Sequence, residues 1–117
     1  IKDGGISTFR SSVTVEKTAA GAKSSVSCES LMLDDRSRSD TVPVMDIRTR
    51  DAAVGHEARI GSISAEAVFY LMSRGMTEAQ ARALIVSGFA DNVSRELPME
   101  YAMELNKLIR MEMKGTD

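Results

Sequence analysis

The feature that most constrains this chain is a change in the spacing of its apolar residues near Ile63. Before that point, runs rich in β-branched residues predict four strands, over residues 6–15, 24–33, 41–47 and 53–63. After it, apolar side chains recur three and four residues apart, the spacing of one helix face. We therefore predict a β domain over residues 1–63 and a helical domain over residues 64–117.

The predicted strands are separated by polar, turn-forming segments around Gly21, between Asp34 and Asp40, and near Asp51. No helical pattern intervenes, so a sandwich, a barrel and a β-solenoid all fit the β domain. Many Ser and Thr residues and an aromatic content of only 4% favour the solenoid, whose interior stacks small side chains.

Three helices are predicted in the second domain from their start and stop signals. Ser64 is placed to cap the first helix, and Gly75 follows its basic last turn. Thr77 and Gln80 have the spacing of a capping box for the second helix. Pro98 suits the first turn of the third helix.

Composition narrows the classes of function. Hydrophobic residues make up 43% and charged residues 27%, which argues against disorder. A net charge of −2 gives no general attraction to nucleic acid or anionic membranes, and no apolar run approaches the roughly 20 residues of a membrane span. We expect neither partner. The single cysteine fits a reducing cytosol, so a cytoplasmic location is expected.

The chain begins at Ile1 without an initiator methionine, and its first residues already lead into a predicted strand. A trimmed tag or an excised piece of a longer protein would both account for this start. We favour a C-terminal fragment, because the first half resembles a repetitive β-structure cut within its repeats.

His56 is the only histidine, which excludes zinc sites that need two histidines from one chain. No glycine-rich phosphate-binding motif is present either. Strand alternation places His56 and Glu57 on opposite faces. Both side chains could therefore reach one site only through a β-bulge or from two different chains.

Cys28 has two interpretations. It lies on a predicted strand with Val26 and Ser30 on its face. A lone cysteine can be a small buried hydrophobic residue, or its thiolate can bind a metal or accept sulfur. A soft iron or zinc site needs about four protein ligands. One cysteine and one histidine per chain cannot supply them, so any cluster must be shared with another chain or with residues outside this one.

Several ordered segments resemble the C-terminal part of the SufB/SufD family. They are CESLML (28–33), RSDT (38–41), GHEA (55–58), FYLMSRG (69–75), ARALIVSGF (81–89) and ELP (96–98). The similarity extends from about Ala22 to Ile109. His56-Glu57-Ala58 is more similar to SufB than to SufD, so we interpret the chain as SufB-type, with an undifferentiated SufB/SufD homologue as the alternative.

This resemblance implies the terminal rungs of a right-handed parallel β-helix, followed by a small three-helix domain. It implies a non-enzymatic scaffold for iron–sulfur cluster assembly that pairs with a SufD-like or identical second subunit. The further partners implied are the ABC-type ATPase SufC, through the C-terminal helices, and a cysteine desulfurase system that delivers sulfur. The alternative is a module that only dimerises and docks the ATPase.

The resemblance also assigns roles to three residues of this chain. Cys28 matches the family cysteine implicated in accepting sulfur or holding the nascent cluster at the dimer interface. Glu57 matches a carboxylate proposed as a ligand there, and His56 matches the adjacent histidine. The implied metal ligands are Cys28 and Glu57, shared with a second chain. The iron–sulfur cluster is expected to be transient, with none in the isolated chain.

Overall fold

The computed structural model describes residues 1–114 and divides the chain into two compact units. The first comprises Ile1–Ser62, and the second begins at Ile63. Within the described residues, the first unit contains four strands and the second contains three helices. This confirms the predicted order of a β part followed by three helices.

The strands pair in parallel, each with the next strand but one. The four strands are β1 (Ile6–Val15), β2 (Ala22–Met32), β3 (Arg38–Ile47) and β4 (Ala52–Ser62). β1 pairs with β3, starting at Ile6 opposite Arg38, and β2 pairs with β4, starting at Ala22 opposite Ala52. The chain therefore alternates between two two-stranded sheets as it proceeds.

The connecting segments also lie beside one another. Arg38 N, at the start of β3, donates to Gly5 O, just before β1, at 2.9 Å, and Gly21 N, just before β2, donates to Asp51 O, just before β4, at 2.7 Å. The sequence offset is 32 residues between β1 and β3, but 30 between β2 and β4. The difference arises because the segment 16–21 is two residues longer than the segment 48–51.

Small polar side chains fill the space where β2 and β3 face each other. Ser30 Oγ and Ser39 Oγ are 2.7 Å apart, and Thr41 Oγ1 lies 3.8 Å from Cys28 Sγ. All four side chains are half-buried, and Val15, 5% exposed, is the most buried residue described in this unit. Packing of small side chains replaces a conventional apolar core here.

Asp34 organises the turn between β2 and β3. Its carboxylate accepts hydrogen bonds from Ser37 N at 2.7 Å, Arg36 N at 2.9 Å, Ser37 Oγ at 3.0 Å and Gly4 N at 3.4 Å. Desolvation alone would raise the pKa of Asp34, but the four donors outweigh it and hold the pKa well below its ordinary value. The bond from Gly4 ties this turn to the segment before β1.

The three helices begin where their sequence signals predict, and α1 also ends at its predicted glycine. They are α1 (Ala65–Ser73), α2 (Glu78–Ser94) and α3 (Met99–Lys114). Ser64 Oγ accepts from Ala67 N at 3.2 Å at the start of α1. Gly75 has φ +96, and its N–H donates to Met72 O, so α1 ends in a left-handed residue that favours glycine.

The second unit buries little apolar surface. Ala81 is fully buried on α2, which packs against both α1 and α3, and Val68 is buried on α1. In contrast, Met99, Tyr101 and Met103 on α3 are 74%, 68% and 67% exposed. Within residues 1–114, no helix has both the length and the apolar character to cross a membrane.

Candidate functional site

Cys28 lies near the middle of β2 on a half-buried face. Its register partner on β4 is Ala58, and its thiol is free. Alternate residues of β2 are half-buried from Ala22 to Cys28, whereas those between them are exposed. Thr41 Oγ1 on β3 donates to Cys28 Sγ at 3.8 Å, within the longer range of bonds to sulfur. The thiol therefore faces the interior between β2 and β3, with a hydroxyl beside it.

His56 shares this sheet face with Cys28. It pairs with Val26, two residues before Cys28, and both Val26 and His56 are half-buried. The Nε2 atom of His56 is buried and has no hydrogen-bond partner among the described residues. A buried polar atom without a partner is uncommon and costs free energy, so this nitrogen is a candidate to receive a proton donor or a metal.

Glu57 lies on the opposite, exposed face. Its partner in register is Ser27, and the pairing of β2 with β4 is unbroken from Ala22 to Met32, without a bulge. Sequence alternation predicted this separation of His56 from Glu57, and the structure agrees with it. Within one chain, Glu57 is not on the sheet face that holds Cys28.

An arginine holds the Glu57 carboxylate. Arg59 donates to Glu57 Oε1 from Nε at 2.8 Å and from the second guanidinium nitrogen at 2.7 Å. Its other nitrogen lies 3.9 Å from Glu29 Oε1 on β2. The hydrogen bond and charge of Glu57 raise the pKa of Arg59, so the guanidinium stays charged.

The described residues do not assemble a metal site from their own side chains. Across residues 1–114, no group of three or more His, Cys, Asp or Glu side chains could hold a metal ion. The inward face of this part of the chain carries the Cys28 thiol, several hydroxyls, among them that of Thr41 beside the thiol, and the imidazole nitrogen of His56 that has no partner there.

Two neighbours of the predicted residues emerge only from the structure. Arg59 lies two residues after Glu57, so strand alternation could have placed it on the same face. Thr41 lies on a different strand, and its contact with Cys28 depends on how β2 and β3 face each other after the Asp34 turn. No local sequence pattern encodes that contact.

A protein-family model described as the SufBD core domain of SUF system FeS cluster assembly matches residues 1–89. The chain belongs to the SufBD family. Cys28, His56 and Glu57 all lie within the matched part of this SufBD chain, and the whole of α3 lies beyond it.

The names of similar proteins also refer to iron–sulfur cluster assembly. An iron–sulfur cluster assembly SufBD family protein of Mycobacterium bovis is 50% identical over 114 residues, which cover 97% of this chain and 14% of the relative. The iron–sulfur cluster assembly protein SufB of Bacillus subtilis is 44% identical over 115 residues, covering 98% of this chain and 25% of the relative. A SufBD family protein of Staphylococcus saprophyticus gives the same identity and coverage. The chain thus spans a quarter or less of these relatives' length.

Proposed function

We propose that this chain is part of a SufB-type scaffold for iron–sulfur cluster assembly, in which Cys28 accepts sulfur or holds the nascent cluster. The proposal rests on one observation above all. Cys28 and His56 share a half-buried sheet face, on which the Thr41 hydroxyl lies beside the thiol and the His56 Nε2 atom has no partner among the described residues. Membership of the SufBD family supports the same chemistry. The scaffold holds and passes on its cargo and is not itself an enzyme.

Sulfur acceptance needs only the thiolate of Cys28. The thiolate attacks the outer sulfur of a donor persulfide, R–S–SH, supplied by a cysteine desulfurase system. A new S–S bond forms on Cys28 as the donor S–S bond breaks, and the donor leaves as the thiolate R–S⁻. No net oxidation occurs, and the proton stays with the transferred sulfur. Cys28 then carries the sulfur that iron binds.

A complete cluster site requires a second chain. An iron–sulfur cluster takes about four ligands, and one chain offers a single thiolate on the inward face. We propose that a SufD-like or identical second subunit supplies the remaining ligands, with Glu57 contributing from the exposed face of its own sheet. The opposite faces of Cys28 and Glu57 support a site shared between chains, because one chain cannot direct both at the same ion.

The β unit fits the end of a right-handed parallel β-helix. Alternating parallel pairing of β1 with β3 and of β2 with β4 is the pattern of two successive rungs, and the aligned turns at Gly5 and Gly21 support this interpretation. We propose the division near residue 63 as the boundary between this β-helix and a helical C-terminal domain. The single cysteine fits assembly in the reducing cytoplasm.

The second candidate is a module that dimerises and docks an ATPase such as SufC, without binding the cluster directly. The apolar side chains that α3 leaves exposed favour it, because such surfaces suit protein partners. It predicts that SufC capture depends on Met103 and Leu108, and that Cys28→Ser functions fully in cells.

Transfer of sulfur to the full-length protein tests the first candidate. The protein is incubated anaerobically with a cysteine desulfurase and cysteine, and the mass of the peptide carrying Cys28 is measured after alkylation. We expect this peptide to gain one sulfur atom, and Cys28→Ser to abolish the gain. Ser25→Ala, on the exposed face of the same strand, is the matched control and should leave the gain intact. An unmodified Cys28 peptide under conditions that load the scaffold with sulfur would contradict the acceptor role.

A further inference from the structure

Among residues 1–114, the hydroxyl of Thr41 is the hydrogen-bond donor to the Cys28 sulfur. Thr41 Oγ1 lies 3.8 Å from Cys28 Sγ, and both residues are half-buried. We propose that Thr41 is a positioning residue that orients the Cys28 sulfur for sulfur acceptance. This inference rests on the proposed function of Cys28 and adds a residue from a separate strand.

The Thr41 side chain has little rotational freedom of its own. Threonine is stiff at χ1 because its Cβ is branched, so its hydroxyl occupies a restricted set of positions beside Cys28. Ser30 lies two residues after Cys28 on β2, and Ser39 lies two residues before Thr41 on β3. Their hydroxyl oxygens are 2.7 Å apart, so β2 and β3 also approach closely next to the Thr41–Cys28 contact.

The chemistry of the thiol explains what this donor contributes. The sulfur of Cys28 is the nucleophile in sulfur transfer, so its orientation decides how readily it reaches the donor persulfide. The hydrogen bond from Thr41 restricts rotation of the Cys28 side chain, so the sulfur keeps one approach direction open to the donor persulfide.

The unpaired nitrogen of His56 is a second observation at this face. His56 lies beside Val26 in register, and its buried Nε2 has no partner among residues 1–114. Within the described residues, the Nε2 atom of His56 is therefore a buried polar atom that lacks a hydrogen bond. A sulfur atom added to Cys28 would bring a new hydrogen-bonding group into the same region, with Thr41 holding its point of attachment.

The rate of Cys28 alkylation by iodoacetamide at neutral pH tests the proposal. It is followed in the full-length protein by the mass of the Cys28 peptide, so other cysteines do not interfere. Thr41→Val keeps the side-chain shape and removes the hydroxyl, and we expect it to slow alkylation roughly two- to fivefold. Thr41→Ser restores the hydroxyl and should recover most of the rate. Should valine disturb folding, Thr41→Ala is the second hydroxyl-free variant.

Ser39→Ala is the matched control, because it removes the neighbouring hydroxyl of β3, which contacts Ser30 and not Cys28. It should alkylate at the wild-type rate. An unchanged rate in folded Thr41→Val, or an equal loss of rate in Ser39→Ala, would overturn the role of Thr41.

The same variants separate this inference from the function on which it rests. If Cys28→Ser abolishes sulfur loading while Thr41→Val alkylates normally, the inference fails and the scaffold function stands. If Cys28→Ser still supports full cluster assembly, the proposed function fails, and the alkylation rates alone then decide whether Thr41 positions the thiol.

Discussion

Cys28 and Glu57 lie on opposite faces of the sheet formed by β2 and β4. Cys28 is opposite Ala58 in register, so Glu57, one residue earlier on β4, projects to the other side. The two side chains that the family resemblance assigns to one metal site are thus separated by the sheet itself. A second chain is the simplest way to bring a Cys28 and a Glu57 to the same metal site.

Removal of Arg59 should release the Glu57 carboxylate. We expect Arg59→Gln to lower iron loading of the assembled dimer to a level between wild type and Glu57→Gln, because two short bonds to Oε1 now orient that carboxylate. The thermal midpoint should hardly change, since ion pairs between exposed side chains contribute little to stability. Iron per dimer, measured by colorimetric assay, checks this.

The control for that experiment is Glu29→Gln, which removes only the longer contact to Arg59 at 3.9 Å. It should load iron normally. Full iron loading in Glu57→Gln would contradict a ligand role for Glu57 and with it the role of Arg59.

The charge of Asp34 should stabilise the β unit fully above its ordinary pKa and progressively less as the pH falls below it. Its pKa in the folded chain is lowered below the ordinary 3.8 because donors from Ser37, Arg36 and Gly4 outweigh desolvation. The stabilisation is thus present at neutral pH and declines as pH falls below about 4, through the lowered value. Asp34→Asn should lower the thermal midpoint at pH 7, keep much of that difference at pH 3 and lose most of it by pH 2. Calorimetry at these pH values is the measurement.

Asp35→Asn, at the exposed neighbouring position, is the control and should have little effect at any of these pH values. An equal destabilisation by Asp34→Asn at pH 7 and pH 2 would show that the charge of Asp34 does not stabilise the turn.

Loss of the capping box should weaken the helical unit. Gln80 N donates to Thr77 Oγ1 at 3.2 Å, and Thr77 N donates to Gln80 Oε1 at 2.9 Å. We expect Thr77→Ala to reduce the free energy of unfolding by about 1 kcal/mol, whereas Thr77→Ser should retain most of it. Urea denaturation followed by circular dichroism at 222 nm measures both. Identical midpoints for alanine and wild type would refute a stabilising cap.

Local patterns predicted most of the elements and missed some of their ends. The cap at Ser64, the glycine at Gly75 and the Thr77 capping box are short-range signals, and each lies where the sequence placed it. β3 begins at Arg38, three residues before its predicted start, because Arg38-Ser39-Asp40 carries no apolar signal. Those residues join the strand through pairing with β1, a non-local contact.

The residue pattern alone did not decide among a sandwich, a barrel and a solenoid, because that choice also depends on non-local strand pairing. Alternation indicates which face of a strand is buried but not which strand lies beside it. For the same reason, alternation separated His56 from Glu57 correctly, while the contact of Thr41 with Cys28 across the interior was not predictable. The site residues came from family resemblance, since a lone thiol and a lone imidazole have no pattern of their own.

The most direct test of the central claim is anaerobic reconstitution of the full-length dimer with iron and sulfide. Visible charge-transfer absorption and iron per dimer are compared for wild type, Cys28→Ser and the exposed-face control Ser25→Ala. A cluster shared between chains through Cys28 predicts full absorption in wild type and Ser25→Ala, and its loss in Cys28→Ser. A full cluster in the Cys28→Ser dimer would contradict the account.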